Sequence, residues 1–135
     1  MKNLVVKETA AAEHQRLVKA LIDKFLRNGL SILTADYEGY FKPRKQGRHE
    51  PDVVGEAANG LLVIGEAKLC DDLNSIKTME QLKDFSSRQM GDGPLNGTAI
   101  PLHVITPMTC NQELHRILKN LELDKRDNVH VWMCG

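Results

Sequence analysis

Leu61-Leu62-Val63-Ile64 is an unbroken aliphatic run, and Gly65-Glu66-Ala67-Lys68 closes it with two charges. Successive side chains of a strand point to opposite faces. A run apolar on both faces therefore predicts a strand in the middle of a sheet, covered by layers above and below. Glu66 and Lys68 are then charges at the end of a buried strand, and their i, i+2 spacing puts both on one face, with Ala67 on the other.

The neighbouring segments supply the rest of the sheet. Pro51 to Gly55 reads as a short strand, and Ala58-Asn59-Gly60 is a turn. Asn-Gly between two β-prone runs is a hairpin signal, and a hairpin closing there brings Asp52 alongside Glu66. Ahead of it, Leu30 to Tyr40 is a first strand, bent near Asp36, running into Pro43. From about Thr9 to Asn28, Leu17, Val18, Leu21, Ile22, Phe25 and Leu26 form an apolar stripe at helical spacing, stopped by Asn28-Gly29.

Downstream, a helix is predicted from about Ser75 to Met90, then a strand from Ile100 to Thr106. Thr109-Cys110-Asn111-Gln112 reads as a capping box opening a helix through Leu114, Ile117, Leu118 and Leu121, and Val129 to Met133 as a last strand. The order αβββαβαβ predicts an α/β fold, a mixed sheet flanked by helices. The 135 residues fit one domain, 1–135, with no repeat or linker.

Composition narrows the function classes. The 41% hydrophobic and 27% charged content is that of a soluble globular chain, and no apolar run approaches the length that crosses a bilayer. Met1 to Val6 turns charged at Lys7-Glu8, unlike a signal peptide, so a cytoplasmic protein is expected. Cys70, Cys110 and Cys134 suit neither a disulfide framework nor a zinc site, and are expected to be reduced and structural. No histidine spacing suggests zinc and no Gly-rich loop suggests a nucleotide. His49, three residues before Asp52, is placed to contact phosphate, with a surface or turn histidine as the preferred reading.

Two carboxylates and an ammonium brought together on a hairpin make chemical sense around a hard cation. Magnesium and manganese take carboxylate and carbonyl oxygens, and neutralise a repulsion the carboxylates would otherwise suffer. Such a cation also acidifies water for attack on a phosphodiester. The alternative is that Asp52 caps a turn while Glu66 and Lys68 form an ordinary ion pair.

Pro51-Asp52, thirteen intervening residues, then Glu66-Ala67-Lys68 on a hairpin and central strand resembles the PD-(D/E)xK nuclease superfamily. The resemblance implies a restriction-endonuclease-like fold and a magnesium- or manganese-dependent deoxyribonuclease. Asp52 and Glu66 are then metal ligands with the Ala67 carbonyl, and Lys68 stands at the attacking water. It also implies an acidic ligand from the first helix, for which Glu13 is the candidate. Gln81, with Phe85 four residues on, resembles the Gln-x-x-x-Tyr element of the recombination-exonuclease branch, with phenylalanine in place of the tyrosine.

DNA is the expected partner. Lys42, Arg44, Lys45 and Arg48 crowd one stretch without an acidic residue, and Lys77, Lys83 and Arg88 lie on the helix after the central strand. The bland reading of the first group is a solvated loop. Cutting two strands calls for a two-fold homodimer, and selectivity for DNA structure would come from the domain itself or from a partner such as a helicase or repair factor. Zero net charge favours a second reading: a non-catalytic nucleic-acid-binding or scaffold module that retains the fold.

Overall fold

The chain is described here by a computed structural model covering residues 8–135. The opening segment read above for a leader, residues 1–7, lies outside the described residues. Helix α1 spans Ala10–Arg27. Its N-terminus is closed by Thr9, whose hydroxyl accepts from the Ala12 amide at 3.1 Å. Its end falls at Asn28, followed by Gly29 at φ +79°, the left-handed geometry that glycine enters without a Cβ penalty.

Five strands follow in spatial order β1-β2-β3-β4-β5: Ser31–Ala35, Val53–Glu56, Leu62–Ala67, Leu102–Pro107 and Val129–Cys134. Neighbours among the first three run antiparallel, while β3, β4 and β5 are mutually parallel. Parallel neighbours need crossovers, supplied by α2 (Ile76–Ser86) and α3 (Asn111–Asn120). The central place of β3 is the one its two-faced apolar run predicts: Ile64 joins a core with Leu82, Phe85 and Leu114, whereas Val63 and Ala67 join one with Leu17, Leu21 and Phe25. Helix α1 thus covers one face, α2 and α3 the other, and the chain is an α/β protein with a five-stranded mixed sheet.

Close approach of α1 depends on two glycines. A Cβ on Gly55 would stand 3.0 Å from Phe25 Cδ2, and one on Gly65 would stand 3.1 Å from Phe25 Cζ. Gly55 pairs with Val63 and Gly65 with Val53, so the two glycines lie diagonally across β2 and β3 and leave a slot that the buried Phe25 ring fills.

Four local expectations are corrected. The first strand stops at Ala35 rather than Tyr40, because the chain reverses there: the Tyr40 amide donates to the Tyr37 carbonyl and Gly39 sits at φ +93°. Helix α2 ends at Ser86, not Met90; the Ser86 and Ser87 hydroxyls both donate to the Lys83 carbonyl, competing with the helical ladder. Thr109 caps nothing, since it lies inside a tight turn, Met108–Cys110, and Cys110 takes the N-cap place without a side-chain hydrogen bond.

The fourth concerns the cysteines. Cys70 and Cys110 are bridged, with Cα atoms 5.6 Å apart, and Cys134 is free. The parallel register Ala67↔Ile105 explains it: both cysteines sit just past the same ends of adjacent strands. A separation of 40 residues hides that neighbourhood in the sequence.

Candidate metal centre

The hairpin register pairs Val53 with Gly65, and one step further along it sets Asp52 opposite Glu66. Asp52 is fixed from three directions. Its carbonyl accepts from the Asp36 amide at 2.8 Å, its Oδ2 accepts from the Ala67 amide at 2.8 Å, and the same oxygen lies 3.3 Å from His14 Nε2 on α1. The end of β1 therefore holds the Asp52 backbone at the start of β2, while the end of β3 and the first turns of α1 converge on its carboxylate.

Glu66 is 2% exposed, and its Oε2 has no hydrogen-bond partner. Burial, then the facing Asp52 carboxyl, push Glu66 well above the usual carboxylate range. Burial also pushes Asp52 upward, but hydrogen bonding to Glu66, His14 and the Ala67 amide outweighs it, so Asp52 falls below its ordinary value. The two titrate as a pair that keeps one proton to higher pH than independent carboxyls would. His14 is held above its usual range, first by its hydrogen bond to Asp52.

Lys68 and Gln81 are both buried, at 9% and 7% exposure, and the Lys68 ammonium donates to Gln81 Oε1. That contact ties the strand bearing Glu66 to α2. All of these groups line one cavity of about 460 Å³, together with Asp36, Lys45, Arg48, His49 and Lys77. Its floor carries Asp52 and the buried Glu66, and its exposed edge is mixed, with Glu50 and Asp72 beside Lys45, Arg48 and Lys77.

The sequence-derived set is only partly brought together. Asp52, Glu66, Ala67, Lys68 and Gln81 share the cavity, as do Lys45, Arg48 and Lys77. Lys42 and Arg44 lie outside it, against Leu33, Thr34 and Phe41, and Lys83 and Arg88 are not among its lining residues. Glu13 also stands apart: its carboxylate faces Arg16 at 3.8 Å. The residue that α1 presents in its place is the next one, His14. His14, Asp36 and Asp52 each offer a ligand atom, all within 4.8 Å of one another. Sequence reasoning missed His14 and Asp36, and His49, read as a surface or turn histidine, lines the cavity with its ring edge-on to Phe85 at 6.1 Å.

The chain matches no family model, no curated protein and no solved structure.

The donor set fits a hard divalent cation. Carboxylate oxygens suit magnesium or manganese, while the His14 imidazole is a softer donor that favours a transition ion such as manganese over magnesium; the unpartnered buried oxygen of Glu66 lacks a hydrogen bond that a cation would replace. No helix among the described residues is long and apolar enough to cross a membrane.

Proposed function

We propose that this chain is a divalent-metal-dependent nuclease that hydrolyses DNA phosphodiester bonds, with a restriction-endonuclease-like fold of the PD-(D/E)xK kind. The observation that carries the reading is the meeting of Asp52 with the buried Glu66, whose Oε2 has no partner, beside Lys68 in one open cavity. A structural ion pair would leave no buried carboxylate oxygen unused.

Asp52 and Glu66 would hold magnesium or manganese, with His14 and the Ala67 carbonyl at the same centre. When bound, the cation supplies an acidified water and neutralises charge on the phosphate. Hydrolysis adds water across the P–O ester bond: hydroxide joins phosphorus and a proton goes to the departing oxygen. Lys68 faces the cavity with its ammonium held by Gln81, placed to stabilise the negative charge that grows on the phosphate oxygens. Lys45, Arg48 and Lys77 at the rim hold the backbone as sequence-independent phosphate contacts. Both-strand cleavage would pair two chains about a two-fold axis, and a helicase or repair factor would direct the substrate.

The test is cleavage of labelled linear, nicked, flapped and four-way-junction DNA with magnesium or manganese, wild type against Glu66→Gln. Cleavage that disappears in the variant supports the reading. Intact DNA bound equally by both proteins would instead favour a non-catalytic binding or scaffold module.

A further inference from the structure

Phe41 is 84% exposed, the most exposed of the large hydrophobic side chains among the described residues. Its backbone is nonetheless held in place, its carbonyl accepting from the Ala35 amide at 2.9 Å, at the end of the edge strand β1. A ring thrust into water from an anchored main chain is a hydrophobic surface without an intramolecular partner.

Its surroundings say what such a surface would meet. Phe41 lines a depression of about 510 Å³ with Leu33, Thr34, Pro43 and two cations, Lys42 and Arg44, and no carboxylate. Lys42 and Pro43 also line the adjoining cleft with Asp36 and Asp52. The aromatic ring, the two cations and the acidic centre therefore form one continuous track along the surface.

Resting on the nuclease reading above, we infer that Phe41 is a stacking platform for an unpaired base, and that the substrate class of this site is single-stranded or frayed DNA. A duplex buries its base faces and shows a protein only phosphates and base edges, so an exposed ring has nothing to stack on there. An unpaired strand offers both halves of the match: base faces for Phe41 and phosphates for Lys42 and Arg44. Phenylalanine carries no hydrogen-bonding group, so the platform accepts any base. A second copy of the chain fits worse. In a two-fold contact centred on this patch, Lys42 and Arg44 would face their own copies.

The experiment measures anisotropy of fluorescein-labelled oligo-dT of roughly 15 nucleotides, about the site size of one small domain, and of a blunt hairpin duplex, both in EDTA. Removing one base-stacking aromatic weakens binding by at least about fivefold. Phe41→Ala is therefore expected to lose that factor on oligo-dT and nothing on the duplex. Phe41→Trp is expected to keep the affinity and to lose indole emission when oligo-dT, but not duplex, is added. Wild type that does not bind oligo-dT, or Phe41→Ala that binds it as tightly as wild type, overturns the inference. So does a Phe41→Ala that changes only the sedimentation coefficient, which would make the patch a self-association surface. Failure of the nuclease reading looks different: oligo-dT bound through Phe41 in every one of these assays, yet left uncut with manganese.

Discussion

Glu66→Gln tests the electrostatics of the centre without any substrate. In the folded chain Glu66 is protonated well above its ordinary value of 4.5, whereas in the unfolded chain it ionises near that value. From about pH 4.5 upward the folded state therefore binds more protons at this position than the unfolded state does, and stability falls as pH rises until the folded-state value is passed. A single such group costs about 1.4 kcal/mol per pH unit. Glutamine keeps the shape and removes the titration. The variant should thus gain on wild type as pH rises above 4.5, by at most about 1.4 kcal/mol per pH unit and only until the folded-state value is passed, each full unit being worth roughly 0.5–1.4 M in urea midpoint.

Other titrating groups largely cancel in that difference. His103, lowered to about 4 by burial and then by His130, makes both proteins firmer as pH rises toward 6.5. In wild type the lowered Asp52 acts below its ordinary 3.8, outside the window, and in the variant the substituted amide can still donate to it in place of the Glu66 carboxyl. His14, being raised, adds its own loss only above 6.5, so the comparison belongs between pH 4.5 and 6.5. The assay is urea unfolding in EDTA at half-unit steps. A stability gap that stays constant with pH would refute the assignment of Glu66 as the raised carboxyl.

Three other outcomes are expected. Lys68→Ala should abolish cleavage while manganese binding by calorimetry persists, and Asp52→Ala should lose both; cleavage by either variant would sink the assigned roles. Reducing the Cys70–Cys110 bridge, which closes a loop of 40 residues, should cost about 4 kcal/mol on the loop-entropy relation, read as a lower urea midpoint with dithiothreitol that a Cys70→Ser/Cys110→Ser variant no longer shows. Gly65→Ala, crowding Phe25, Leu21 and Val53, should destabilise by about 1–3 kcal/mol, and an unchanged midpoint would mean the slot has room to spare.

What could be read in the chain was whatever depends on local period. The two-faced run at Leu61–Ile64 places β3 centrally, and the Asn59-Gly60 turn sets the register that brings Asp52 to Glu66. His14 left a signal too: it lies three and four residues before Leu17 and Val18, both fully buried, whereas Glu13 flanks the exposed Arg16. Yet Glu13, four residues before Leu17, lies on the same inward stripe, so phase alone does not separate it from His14, and the acidic ligand implied by the resemblance pointed to Glu13. Asp36 and the Cys70–Cys110 bridge left none, because each is created by contacts between segments distant along the chain. Likewise the split of the basic stretch, with Lys45 and Arg48 at the cavity and Lys42 and Arg44 beside Phe41, follows from how the loop folds back and not from its composition.

The slot for Phe25 also acts at a distance. His14 precedes Phe25 by eleven residues on α1, about three turns and roughly 16 Å of rise, so both project from the same side of one rigid rod. The glycines under Phe25 set how deeply that rod beds against the sheet, and hence how far the His14 imidazole reaches toward Asp52. Two positions with no side chain at all, Gly65 next to Glu66 in the chain and Gly55 further along the hairpin, thereby gauge the 3.3 Å separation at the metal end. Thickening either one would lift the whole rod, and the imidazole would be drawn back from the centre with it.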